Sequence, residues 1–123
     1  MKTIYADGTP KGLAAISKDD SVTFQPIKAT TNNEAEYQAI LQALKLVDSY
    51  ELTEIVSDSQ LVVRQLTKEY GCHEPRLQQM KKDIRDVITE RGLNVRYRWI
   101  PREDNPAGMA LEKEIKKDDN SER

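Results

Sequence analysis

The hydrophobic period changes once along this chain, and that change limits its possible folds more than any other feature. Up to Lys28 the apolar residues lie in three short strand-like runs. Thr3 to Ala6 ends at Asp7-Gly8, where Thr9-Pro10 favours a turn; Leu13 to Ser17 and Val22 to Lys28 follow. The link Lys18-Asp19-Asp20-Ser21 is short and polar, so these runs predict an antiparallel meander. From Asn33 the spacing becomes three and four residues, through Ala35, Ala39, Ile40, Ala43, Leu44 and Val47, which predicts a helix capped by Thr31 or Asn32.

Leu52 to Ser57 is too short for a helix once Asp58 and Ser59 interrupt it, and reads as a strand leading into a helix from Ser59 with Leu61, Val62 and Leu66. Leu77, Met80, Ile84, Val87 and Ile88 mark another helix, stopped near Gly92; Val95, Tyr97 and Trp99 then define a strand whose other face bears Arg96 and Arg98. Asn105 caps and Pro106 opens a last helix with Ala107, Ala110, Leu111 and Ile115 along one side. The order β-β-β-α-β-α-α-β-α predicts an α/β fold with a five-stranded mixed sheet, because the strand after the first long helix can return parallel to the first strand. One domain is expected over residues 1–117, followed by a charged tail at 118–123, with fraying expected from Lys116 onward.

A length of 123 residues suits a single compact domain. With 19 Lys and Arg against 21 Asp and Glu, the chain as a whole is not a polycation built for nucleic acid, although a local basic track stays open. The lone cysteine, Cys72, excludes an intramolecular disulfide scaffold and a thiolate metal cluster, and it fits a reducing compartment, so a cytoplasmic location is expected. The first apolar run is very short and no stretch approaches about 18 uncharged residues, so neither a signal peptide nor a membrane span is expected.

Glu36 fits a purely structural reading poorly. It is spaced with Ile40, Ala43 and Val47 on the apolar side of its helix, although the first turn also tolerates an ordinary glutamate through its free amides. Asp7 and Asp58 both fall at the carboxyl ends of predicted strands, the edge of an open α/β sheet where sites form. Each has a plain alternative, Asp7-Gly8 as a turn pair and Asp58 as a helix cap. If the strands are parallel neighbours, three like charges meet at one edge, and a shared divalent ion is the ordinary way to neutralise them. Carboxylates without His or Cys favour magnesium or manganese over zinc. Two such ions about 4 Å apart can activate water and hold a phosphate under in-line attack, which makes phosphodiester hydrolysis the natural reaction class.

Tyr5-Ala6-Asp7-Gly8, Thr31-Asn32-Asn33-Glu34-Ala35-Glu36-Tyr37, Ser57-Asp58-Ser59-Gln60-Leu61-Val62 and Pro101-Arg102-Glu103-Asp104-Asn105 resemble, in order, the signatures of type 1 ribonuclease H. The resemblance covers residues 2 to about 116 and implies the ribonuclease H-like fold. It also implies an endonuclease that uses Mg2+ or Mn2+, two ions with substrate bound, to cut the RNA strand of an RNA-DNA hybrid, leaving 5′-phosphate and 3′-hydroxyl ends. Asp7, Glu36 and Asp58 match the family's first three metal-binding carboxylates. Asn32 and Asn33 match positions that contact the hybrid, where reading RNA depends on its 2′-hydroxyls; helix capping is their plain alternative.

The pattern breaks at the last helix. The family's fourth carboxylate stands near the start of the last helix, and in the run Asn105-Pro106-Ala107-Gly108 the matching position is read as Gly108. Glu112, four residues on along the same face, is expected to reach back as the replacement catalytic and metal-binding carboxylate, and Asp104 offers an approach from the loop. Their plain readings are an exposed helix glutamate and a loop acid. A weak or manganese-favouring nuclease is therefore expected, with a catalytically weakened or inactive nucleic-acid-binding module as the alternative.

Two further family features are missing: the glycine-rich first hairpin is reduced to Asp7 through Gly12, and the loop before the last helix has no histidine. His73 reads as a surface residue, and the link Glu69 to Pro75 leaves no space for a basic protrusion. Charge is uneven all the same, with 10 basic against 5 acidic residues across 64–102. Lys81, Lys82 and Arg85 are the favoured phosphate contacts, for sequence-independent binding of the hybrid. Trp99 reads as a core anchor on the last strand sooner than as a base-stacking platform, and no obligate protein partner is inferred.

Overall fold

The computed structural model describes the backbone of residues 1–121 and the side chains of residues 1–117. Its strands are β1 (Lys2–Thr9), β2 (Leu13–Lys18), β3 (Ser21–Pro26), β4 (Thr53–Ser57) and β5 (Val95–Trp99). The helices are α1 (Asn32–Leu44), α2 (Gln60–Leu66), α3 (Pro75–Arg91) and α4 (Pro106–Ser121), with a 3-10 turn at Arg102–Asp104. Element order and the five-stranded mixed sheet agree with the sequence. Helix α4 runs on into the stretch read as a charged tail, of which Glu122 and Arg123 lie outside the described residues.

The sheet order is β3-β2-β1-β4-β5, with β1 antiparallel to β2 and parallel to β4, and β4 parallel to β5. Asp19 and Asp20, both at positive φ, make the tight β2–β3 turn, a conformation that their short polar side chains tolerate. Alternation along β1 sends Ile4 and Ala6 to a core shared with Ala39, Ile40, Leu44, Leu77 and Ile84 of α1 and α3. Tyr5 points the other way, toward a smaller cluster of Ala15, Ala107 and Leu111 under α4. The sheet is thus covered on both faces, as a chain with parallel strands requires.

Local chemistry fixes the helix ends. Thr31 caps α1, its hydroxyl accepting from Glu34 N–H at 3.1 Å, and Ser59 caps α2 by accepting from Val62 N–H at 3.3 Å. Gly92 ends α3 at φ 63°, the left-handed conformation that favours glycine. From that same end Arg91 donates at 2.7 Å to the carbonyls of Leu44 and Val47, tying α3 to the end of α1. No helix among the described residues is long and apolar enough to cross a membrane.

Candidate metal centre

The β1–β4 ladder stops at the pair Tyr5–Val56, whereas β1 stays paired with β2 as far as Thr9–Leu13. β1 therefore does not end at Asp7-Gly8 as its sequence suggested: the antiparallel partner carries it on, and the turn comes after Thr9. Asp7 lies where β1 has already lost its parallel neighbour, and Asp58 follows directly on the end of β4. The opening between the strands receives both side chains.

Glu36 comes from the first turns of α1 because that helix docks very close to β1. A Cβ at position 8 would lie 2.3 Å from the Ala35 carbonyl oxygen, so only glycine permits the approach. Gly8 N–H then donates to Glu36 Oε1 at 3.3 Å, and the Ser57 hydroxyl donates to Glu36 Oε2 at 3.1 Å. The start of α1 is braced from α3 as well: buried Glu34 binds the Thr30 hydroxyl and lies 3.4 Å from Arg76.

One carboxylate oxygen from each of Asp7, Glu36 and Asp58 falls within 4.8 Å of the others. Asp7 and Glu36 are buried and Asp58 is half-buried. Burial, then a hydrogen bond with Asp7 and its charge, then the charge of Asp58, push the Glu36 carboxyl well above the usual range; the Gly8 N–H opposes them. Burial and then the Asp7 charge raise Asp58, against the Asn105 amide and the Arg102 guanidinium. Asn105 donates to Asp58 Oδ2 at 2.9 Å and to Ala6 O at 3.2 Å, while its Oδ1 accepts from Ala107 N–H. One residue thus caps α4 and fixes a cluster carboxylate. The donor set is all oxygen, which fits a hard divalent cation such as magnesium or manganese.

Position 108 faces the cluster directly. A Cβ there would meet Asp7 Oδ2 at 3.2 Å and Asp58 Oδ2 at 3.3 Å. The structure does not bring Glu112 into the group: it lines the same cleft, but its carboxylate lies 3.6 Å from Lys116 Nζ and its side chain is 55% exposed. One helical turn further along α4 places it at the rim, where the lysine at i+4 competes for it. Asp104, in the 3-10 turn, is exposed and also outside the group.

The cleft over the carboxylates has a volume of about 480 Å³, and Asn32 and Asn33 line it together with Lys11, Ser59 and Arg102. Lys81, Lys82 and Arg85 are elsewhere, around a depression of about 300 Å³ on α3 with Cys72 and Gln78, and Lys82 pairs with Asp86 at 3.1 Å. Trp99 is no core anchor: it is 42% exposed, on an edge strand, and its indole N–H donates to the Asp58 carbonyl at 3.0 Å. The sequence holds Ser57 and Arg102 in its motif runs, and Arg102 in its basic stretch, without pointing to their places beside the carboxylates, and it gives no sign of the indole contact. Adjacency to Asp58 was the only signal for Ser57, and no periodicity marks the other two.

A family model described as reverse transcriptase-like matches residues 18–114. Ribonuclease HI of Halobacterium salinarum is 30% identical over 98 residues, which cover 69% of this chain and 49% of that protein. The uncharacterized protein YpeP of Bacillus subtilis is 33% identical over 89 residues, covering 69% of this chain and 39% of that one. The chain therefore spans half or less of the length of these curated relatives. Among solved structures, LC11-RNase H1 in complex with RNA/DNA hybrid superposes with a TM-score of 0.71 at 33% identity, covering 86% of this chain and 89% of that one.

Proposed function

We infer the function of this site from one premise: the chain belongs to the reverse transcriptase-like family and has the ribonuclease H1 fold. It is a nucleic-acid-binding domain whose three-carboxylate metal site retains a weakened, divalent-metal-dependent endonuclease activity toward the RNA strand of RNA-DNA hybrids, leaving 5′-phosphate and 3′-hydroxyl ends. The observation that carries this reading is the convergence of Asp7, Glu36 and Asp58 within 4.8 Å at the floor of a cleft lined by Asn32 and Asn33.

Asp7, Glu36 and Asp58 would hold the metal, one ion or two with hybrid present. When bound, magnesium or manganese supplies an activated water and neutralises charge at the phosphate. The chain's own residues do the rest. Ser57 and Gly8 hold both oxygens of Glu36, and Asn105 holds Asp58, so the ligands are preorganised by uncharged donors. Asn32 and Asn33 contact the hybrid from the start of α1, and Lys81, Lys82 and Arg85 contact phosphates further along it. Absence of a side chain at Gly108, with Glu112 drawn to Lys116, supports weakened turnover and favours a second reading, an inactive module that binds without cutting.

Cleavage of hybrid, double-stranded RNA and double-stranded DNA in magnesium and in manganese separates the two. Slow, metal-dependent cutting of hybrid alone, lost in Asp7→Asn, is expected. Salt-dependent hybrid binding with no cut in either metal sinks the nuclease and leaves the module. A fall in cleavage in Glu112→Ala or Asp104→Ala would recruit that residue as the fourth ligand.

A further inference from the structure

Asp58 is held at its carboxylate by Asn105, but a second contact fixes the backbone that carries it. β5 runs parallel to β4 with Trp99 opposite Ser57, and Ile100 N–H donates to the Ser57 carbonyl at 3.1 Å. At the next residue no ladder bond exists, because β4 has ended. The indole N–H of Trp99 takes that place, donating to the Asp58 carbonyl at 3.0 Å. Ser59 N–H donates back to Ser57 Oγ at 3.1 Å, and that same hydroxyl donates to Glu36. The turn 57–59, which carries one metal ligand and steadies another, is therefore pinned to the edge strand by a side chain that is 42% exposed. Burial does not account for a tryptophan there, and its hydrogen bond does.

We propose that Trp99 is a positioning residue for Asp58, setting divalent-ion affinity through its indole N–H and, as the only tryptophan of the chain, changing its emission when an ion binds. The proposal rests on the metal-binding reading of the three carboxylates. Groups that orient a metal ligand from outside typically change affinity by about 10–100-fold when removed. Trp99→Phe keeps an aromatic ring on the edge strand and removes only the N–H and part of the ring.

The test uses the whole chain with the metals alone. Free Mn2+ is followed by electron paramagnetic resonance in wild type, Trp99→Phe and Asp58→Asn, and tryptophan emission is titrated with diamagnetic Mg2+ in wild type and Asp58→Asn. Far-ultraviolet circular dichroism shows that each variant is folded. The expected result is saturable emission change in wild type, none in Asp58→Asn, and at least about tenfold weaker Mn2+ binding in folded Trp99→Phe. Equal Mn2+ affinity in Trp99→Phe, or flat wild-type emission at Mg2+ concentrations that displace bound Mn2+, overturns the assignment of Trp99 while the metal site stands. Absence of Mn2+ binding by wild type overturns both. Should Trp99→Phe fail to fold, the wild-type emission decides.

Discussion

Replacing Asp7 by Asn keeps the shape of the side chain and removes one of three charges whose oxygens lie within 4.8 Å of one another. At that separation and an effective dielectric constant of about 20, one pair of unit charges repels by about 3.5 kcal/mol. Burial and its contact with Asp7 drive the Glu36 carboxyl well up, and the repulsion counted here is the one between Asp7 and Asp58. Asp58 is half-exposed, and solvent screening reduces the gain to about 1–3 kcal/mol. Without metal, Asp7→Asn should therefore melt roughly 4–10 °C above wild type at pH 8.

The sign with pH follows from the raised carboxyls. A folded-state pKa above the unfolded value contributes stability that is complete below the unfolded value and is lost as pH rises through the folded one. The wild type should lose this contribution of Glu36 and Asp58 as pH rises above the ordinary carboxylate range of about 4, Glu36 later than an ordinary glutamate, and Asp7→Asn should lose less of it. Glu34, lowered foremost by the Thr30 hydroxyl, has the opposite slope and acts at the acid end. Excess Mg2+ or Mn2+ reverses the order, because a ligand at 100 times its Kd stabilises the folded state by about 2.7 kcal/mol and only wild type keeps the full site. Thermal melts with EDTA and with each metal, at pH 5 and 8, check all of this. A metal-free Asp7→Asn protein less stable than wild type at pH 8, or an undiminished metal-induced shift in the variant, would refute the reasoning.

Gly8→Ala puts a Cβ 2.3 Å from the Ala35 carbonyl, with backbone on both sides, so β1 and α1 must part; urea unfolding should show a loss of about 3 kcal/mol or more. Gly108→Asp adds a fourth carboxylate where a Cβ already meets Asp7 and Asp58 at 3.2 and 3.3 Å, so the metal-free melting temperature should fall while Mn2+ affinity, read by calorimetry, rises about tenfold. Tyr37→Phe leaves Gln65 Oε1 without its buried 2.8 Å donor and should cost about 1–2 kcal/mol in the same urea assay.

The fold was legible because its signals are local and periodic. Asn33 begins a helical spacing, Gly92 ends a helix in the left-handed region, and Asn105-Pro106 opens one; each acts within a turn of itself. Asp7, Glu36 and Asp58 were legible as well, since the ends of strands and the first turn of a helix are places that topology converts into one edge. Legibility stopped where a contact crosses between elements. Trp99 looked like core because an aromatic residue on an alternating strand usually is, but β5 is an edge strand whose last residue projects over the end of β4. Glu112 looked like a ligand because helical spacing placed it on the right face. Spacing along a helix carries no information about Lys116 as a competitor at the next turn, or about how far the rim stands from the floor of the cleft.

The geometry around Gly108 also bears on how a side chain there would act on the three carboxylates. Three carboxylates held within 4.8 Å without metal need uncharged donors, and the structure provides them: Asn105 on Asp58, and Ser57 and Gly8 on Glu36, whose carboxyl is held well above the usual range by burial and by the neighbouring Asp7. A fourth carboxylate on α4 would press on the two oxygens that lie 3.2 and 3.3 Å from the missing Cβ, and would add its charge where Asp58 already responds to Asp7. Glycine therefore makes the metal-free cluster less costly to fold while making a bound ion less tightly held. Both effects have one cause, so they should change together in any variant at position 108: each gain in metal affinity comes with a loss of metal-free stability. A substitution there that raised both would mean that the cluster is held by something other than the balance of like charges and the donors named.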